Sequence, residues 1–244
     1  MHNAQVLVGI KLSLPRNNMA FDPNTLKHFA TGEEAARFVA DEVIQACAKA
    51  ITEHGVFHWV LAGGSTPELC YRLLRDADMD WAKVHVWFGD ERALELGHPD
   101  RNETMANKAL LDHVAIPQEN IHSVDFTNGT QAAAEAYAQD IATIKTFDLV
   151  MLGMGEDGHT ASLFPNHDTL NSESLAVAEF DSPKPPSERV SMGFKALNNH
   201  KHCFILATGA SKKDVLQDIA KGADLPITFI ENATWVVDKA ARHI

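Results

Sequence analysis

Four apolar runs in this chain end the same way, each in a polar loop that carries glycine, and that recurrence limits the folds open to it. VFHWVLA (56–62) runs into GGSTP, VHVWF (84–88) into GDER, FDLVMLG (147–153) into MGEDGHTASLFP, and HCFILATG (202–209) into GASKK. The runs are rich in β-branched and aromatic residues and are bounded by turn formers, as buried strands are. Helical patterns lie between them. Residues 31–34, TGEE, form a capping box, and Val39, Val43, Cys47 and Ile51 then place one apolar residue per turn up to Gly55. After the first of the four strands, Thr66 suits an N-cap and Pro67 the first helical position, with PELCYRLLRD continuing. Further helices are expected around 103–114, over 130–144, where Tyr137, Ile141 and Ile144 share a face, and after a cap at 211–214. TWVV (234–237) suits a last strand before a short C-terminal helix.

Strands alternating with helices predict an α/β fold: a mostly parallel sheet with helices on both faces. In such sheets ligands bind beyond the carboxyl ends of the strands, which is where all four polar loops fall. The stretch from 171 to 200 breaks the alternation. Prolines interrupt SPKPPSERVSMGF while RVSMGF alternates, so a loop and a short antiparallel excursion are expected there.

The chain has 244 residues, 45% of them hydrophobic, enough to bury a sizeable core. Its formal net charge of −12 argues against a nucleic-acid or anionic-membrane partner. An anionic small molecule would need a local cluster of Arg and Lys. No apolar run is long enough to span a bilayer, and VLVGI before Lys11 is too short for a signal peptide. Residues 1–26 read as an N-terminal extension, either surface-associated or upstream of a start at Met19, and a cytoplasmic location is expected. Cys47, Cys70 and Cys203 are far apart with no CxxC, which fits small core residues in a reducing compartment.

The loops carry the chemistry. Gly63 and Gly64 let a backbone approach a ligand closely, and Ser65 and Thr66 add hydroxyls at a helix N-terminus, where anions bind. The same residue types also make an ordinary strand-to-helix turn. No Lys-Ser/Thr follows, so the loop is not a Walker A, and it is not GxSxG. In GDER, Arg92 can fork onto a phosphate or carboxylate, or pair with Asp90 and Glu91. Ser211 and Lys212 open another helix, and Arg189 lies in the proline-rich excursion, where it can cover the site. GEDGHTASLFP is the most informative loop. It sets His159 two residues from Asp157, between glycines, after a buried strand. An imidazole titrating near ~6.5 can act as general base and then general acid. Asp157 can fix its tautomer or contact substrate, and Glu156 is expected to face solvent. No histidine has HExxH or comparable spacing, so no metal is expected.

LAGGSTP, WFGDER, FDLVMLGMGEDGHTASLFP, KPP…RVS and TGASKK, in that order, resemble the successive motifs of the 6-phosphogluconolactonase family over roughly Lys27 to the C-terminus. The resemblance implies a Rossmann-like fold and one lactonase domain over 27–244. It implies hydrolysis of 6-phospho-D-glucono-1,5-lactone to 6-phospho-D-gluconate in the oxidative pentose phosphate pathway, with no metal or organic cofactor. The sequence leaves the oligomeric state open, with a monomer the expectation. His159 maps to the family's base, with Asp157 beside it. Gly63, Gly64, Ser65, Thr66, Asp90, Arg92, Arg189 and Lys212 are the expected substrate-binding residues. The chain departs from the pattern after DER, with ALELG in place of a Val-Pro turn and Arg101-Asn102 where Ser-Asn is common. The sister family, glucosamine-6-phosphate deaminase/isomerase, continues its DGH loop with Asn-Glu, where this chain has Leu163-Phe164. A carboxylate there would assist ring opening. A non-catalytic sugar-phosphate sensor on the same fold would need a helix-turn-helix module, and the first 30 residues are too short for one.

Overall fold

The computed structural model describes residues 26–242. The expected N-terminal extension lies, apart from Leu26, outside the described residues. In chain order the elements are β1 (Lys27–Phe29), α1 (Gly32–His54), β2 (Phe57–Leu61), α2 (Ser65–Leu73), β3 (Val84–Phe88), β4 (Asp90–Arg92), α3 (Asn102–Ala109), β5 (Ile121–His122), α4 (Thr130–Ala142), β6 (Phe147–Gly153), β7 (Ala176–Glu179), β8 (Arg189–Met192), the single turn α5 (Phe194–Leu197), β9 (His200–Ala207), α6 (Lys213–Ala220) and β10 (Thr234–Asp238). Among the described residues no helix is long and apolar enough to cross a membrane.

Seven strands form one parallel sheet in the order β1-β10-β9-β6-β2-β3-β5. Strand periodicity explains its two covered faces. Phe57, Trp59 and Leu61 of β2 pack with α1, α2 and α3, while Val60 points the other way, into a core shared with α4, β7, β8 and α6. From β2 the chain moves outward to β3 and β5; it then returns to place β6 on the other side of β2 and continues to β9 and β10. The β2–β6 boundary is therefore a switch point, and the loops leaving these strands diverge to open a crevice.

Several local expectations need correction. The capping box is present: Thr31 accepts from Glu34 N–H at 3.2 Å, but the Glu34 carboxylate takes the amide of Ala30, one residue outside the cap. Thr66 is not an N-cap. Gly64 precedes α2, and the Thr66 hydroxyl lies inside the first turn, 2.5 Å from that of Thr208. Ser211 does not cap either, since residues 210–212 form a 3₁₀ turn before α6. The helix expected over 103–114 stops at Ala109 and gives way to a 3₁₀ turn. Residues 239–242 are turns rather than a helix. GDER is not a loop: Asp90–Arg92 is β4, the edge of a separate three-stranded antiparallel sheet, β4-β8-β7. The excursion near 171–200 thus holds two antiparallel strands rather than one. All three cysteines are buried and free.

Two polar features sit near the amino ends of the strands. Asp148 on β6 is buried but satisfied, accepting from His54 Nε2 at 2.8 Å, His58 N–H at 2.9 Å and Lys201 Nζ at 3.0 Å. Beside it, His58, His85 and His122 line up across β2, β3 and β5. His85 Nδ1 is 3.1 Å from His122 Nε2, and the His122 ring stacks on Trp87 at 3.8 Å. Burial, then the neighbouring His85, lowers His58 and His122 to about 4; Asp148 opposes this at His58. These imidazoles are neutral in the fold and titrate higher when unfolded. Their contribution is whole above pH ~6.5 and is lost as pH falls from there through about 4. We expect Tm to drop by about 5 °C between pH 7 and 5 in thermal melts, and His122→Phe to flatten that slope.

Candidate active site

A cleft of ≈ 320 Å³ opens at the switch point, with Gly63 and Gly64 on one wall and 153–155, His159 and Ala161 on another. Asp90, Arg92, Asn102, Arg189, Lys184 and Lys212 complete it. In a chain of net charge −12, four Arg and Lys side chains converging on one pocket form the local basic cluster an anionic ligand requires.

His159 is built into place by its loop. Its Nδ1 lies 2.5 Å from Asp157 Oδ1, and the same oxygen accepts the His159 backbone N–H at 3.1 Å. Gly155 N–H donates to His159 O at 2.8 Å and closes the turn. A Cβ at position 155 would stand 2.0 Å from Nδ1, so only glycine leaves room for the imidazole. Phe164, fully buried, backs the ring at 4.7 Å. With Nδ1–H donating to Asp157, Nε2 carries the lone pair, and the side chain is 16% exposed at the cleft. Burial lowers the imidazole below its ordinary value and outweighs Asp157, which raises it. Burial pushes the Asp157 carboxyl up, but its hydrogen bonds to His159 and the imidazole's charge prevail and hold it low. The pair at neutral pH is therefore a neutral base held by a carboxylate.

The rest of the loop is bolted to the small sheet. Ser162 Oγ donates to Asp90 Oδ2 at 2.7 Å, and its N–H donates to Ser191 Oγ at 3.1 Å. Just before this anchored serine, Ala161 takes φ 49°, a left-handed conformation uncommon without glycine, right at the cleft wall. The antiparallel register sets Asp90 opposite Ser191 and Arg92 opposite Arg189, so two guanidinium groups come from adjacent strands. Among the described residues no salt bridge joins Asp90, Glu91 and Arg92 to one another. Arg92 Nη1 donates to Asp100 O at 2.5 Å, and Arg92 Nε is buried without a hydrogen-bond partner.

Glu91 points away from the cleft and is fully buried. Its carboxylate accepts the amides of Arg92, Asn102 and Glu103, each at 2.8 Å, and lies 3.6 Å from Arg101 Nε. It thus caps α3 from another strand. Burial raises this carboxyl to about 7, against the lowering pull of the three amides and Arg101. The capped helix presents Asn102, which donates to Asp90 O at 2.8 Å and Asp90 Oδ1 at 3.0 Å. A Cβ on Gly63 would meet Asn102 Oδ1 at 2.2 Å, so that glycine serves close packing here. Arg101 is buried too, donating to Leu94 O, Val124 O and Glu103. The departure at 101 therefore braces the 93–101 loop and does not line the cleft.

Of the sequence-predicted residues, Gly63, Gly64, Asp90, Arg92, His159, Arg189 and Lys212 line the cleft. Ser65 and Thr66 sit in the first turn of α2 outside its wall, and Asp157 stands behind His159. Asn102 and Lys184 are wall residues that the sequence analysis did not select. Leu163 and Phe164, where the sister family carries Asn-Glu, are buried and apolar. Among the described residues no group of His, Cys, Asp or Glu converges as metal ligands would.

The family model described as glucosamine-6-phosphate isomerases/6-phosphogluconolactonase matches residues 30–237. The chain is 36% identical over 208 residues to a 6-phosphogluconolactonase of Nostoc sp., covering 79% of this chain and 86% of the relative. It is 33% identical to that of Haemophilus influenzae, covering 88% and 97%. The crystal structure of 6-phosphogluconolactonase from Thermotoga maritima superposes with a TM-score of 0.81 at 32% identity, over 88% of this chain and 99% of that one. A monomeric glucosamine-6-phosphate deaminase, at 20% identity and a TM-score of 0.76, shares the fold. The chain therefore belongs to the glucosamine-6-phosphate isomerase/6-phosphogluconolactonase family.

Proposed function

We propose that this chain is a 6-phosphogluconolactonase that hydrolyses 6-phospho-D-glucono-1,5-lactone to 6-phospho-D-gluconate, with His159 as general base. The observation that carries this reading is an imidazole held by Asp157 on the wall of a cleft lined by cations, where burial lowers it below its ordinary value. Its similarity to the Nostoc and Haemophilus lactonases supports the same substrate class.

Arg92 and Lys212 receive the phosphate and so bring the lactone carbonyl to His159. Nε2 takes a proton from water, and the water oxygen attacks the carbonyl carbon. The imidazolium, stabilised by Asp157, then gives its proton to the departing ring oxygen as the C–O bond breaks. The lactone is itself an activated ester, so no covalent enzyme intermediate is needed. Leu163 and Phe164 supply no carboxylate for ring opening, which favours hydrolysis over deamination and isomerisation.

Turnover of freshly made lactone, coupled to a dehydrogenase that consumes 6-phosphogluconate and corrected for spontaneous opening, tests the assignment. Rates indistinguishable from the uncatalysed background would end it. Burial lowers the Lys212 ammonium, with Lys184 adding to the effect and Glu156 opposing it. Lys212→Ala is expected to raise KM about 10-fold with kcat largely kept, because a phosphate contact is made equally in ground and transition states. Steady-state kinetics over a range of lactone concentrations separates the two parameters.

A further inference from the structure

Arg189 opens β8 and borders the cleft, yet carbonyls of the chain around it occupy two of its three guanidinium nitrogens. Nε donates to Pro186 O at 3.2 Å; Nη2 donates to Lys184 O at 2.9 Å and reaches Pro185 O at 3.5 Å. Nη1 lies 3.9 Å from Asp90 Oδ2, and the head group stands 5.9 Å from the centre of the Phe164 ring that backs His159. The residue is 5% exposed.

Lys184 is the opposite case. It is exposed, lines the cleft, and makes no ion pair among the described residues. Only its backbone is fixed. Its carbonyl accepts from Arg189 and from Ser182 Oγ at 2.9 Å, and its N–H donates to Ser182 Oγ at 3.3 Å. Ser182 N–H closes the loop on Ser187 O at 3.1 Å. Pro185 and Pro186 follow, with φ locked by their rings. A short stiff loop thus holds out one long, unpaired cation.

We propose that Lys184 is a specificity-determining ligand for the substrate's phosphate, and that Arg189 is a positioning residue that holds the Lys184 loop at the cleft. This rests on the phosphosugar reading of the site. Lys184 comes from the loop between β7 and β8 and Lys212 from the 3₁₀ turn after β9, and the Lys184 charge reaches the Lys212 ammonium. A dianionic phosphate between them relieves that repulsion, whereas an unphosphorylated sugar acid does not. Arg189 spends Nε and Nη2 on three successive carbonyls, so its loss acts through the loop. The same ammonium adds a smaller downward push to His159, after burial.

Calorimetry with 6-phosphogluconate and with gluconate, on the full chain, provides the test. Lys184→Met should weaken 6-phosphogluconate about 10- to 100-fold, the loss of one charge-assisted bond, and leave gluconate unchanged. Arg189→Lys should weaken it similarly, and the double variant should bind no worse than either single one. In Lys184→Met the NMR titration midpoint of His159 should rise. Unchanged affinity in Lys184→Met would overturn the proposal. Losses that multiply in the double variant would make Arg189 a ligand in its own right and overturn its positioning role. Lys184→Met alters an exposed side chain and carries the test should Arg189→Lys fail to fold. A wild-type chain that binds 6-phosphogluconate no better than gluconate would instead sink the phosphosugar reading itself.

Discussion

His159→Ala is expected to lower kcat by about 10²–10⁴-fold, the usual worth of a positioned general base, while leaving the fold intact. The side chain is held by one carboxylate and one aromatic face, and it contributes little to either core. Its removal therefore takes away chemistry rather than packing. Asp157→Asn should cost less, because the backbone turn through Gly155 still presents the ring while the imidazolium loses its partner. Circular dichroism establishes that each variant is folded, and steady-state rates on fresh lactone, less the spontaneous rate, give kcat. A folded His159→Ala chain turning over near the wild-type rate would remove the residue from the mechanism.

Glu91→Ala should be the most damaging single change to stability. It strands the backbone amide of Arg92 and those of Asn102 and Glu103 at the start of α3, and it takes away one of the two carboxylates beside the buried Arg101 guanidinium, leaving only Glu103. Each buried amide left without an acceptor costs about 1–3 kcal/mol, and the three together, for a chain of this size, lower Tm by about 10 °C or more. Glu91→Gln keeps the shape and one acceptor, so its cost should be smaller. The damage should reach the cleft, since α3 carries Asn102 against Asp90. Thermal melts that place Glu91→Ala within 2 °C or so of wild type would show that the cap is dispensable.

The parallel sheet was legible because its strands are buried on both faces and read as unbroken apolar runs; FDLVMLG is found as β6 with the same bounds. What was not legible depends on partners distant in sequence. Asp90–Arg92 is three charged residues long and becomes a strand only through its pairing with β8, about a hundred positions later. β5 has two residues and no pattern of its own. Thr66 looked like a cap because Ser and Thr before Pro often are, but Gly64 takes that place. His159 could be found because its glycines and Asp157 are neighbours in the chain. Asn102 could not, because its place in the cleft is set by a carboxylate on β4. Lys184 lay inside the proline-rich stretch singled out beside Arg189. The local pattern gave no reason to prefer the lysine, since the carbonyls that occupy the guanidinium belong to a folded loop.

The most direct test of a neutral imidazole activating water is the pH dependence of kcat/KM, set beside the NMR titration of His159 Cε1 in the same protein. Because burial favours the uncharged ring, activity should hold into mildly acidic solution. It should fall with a midpoint below the ordinary ~6.5, and that midpoint should coincide with the ring's own titration. An imidazole that titrates well above the kinetic midpoint, so that the enzyme turns over fully while His159 is protonated, would contradict the account.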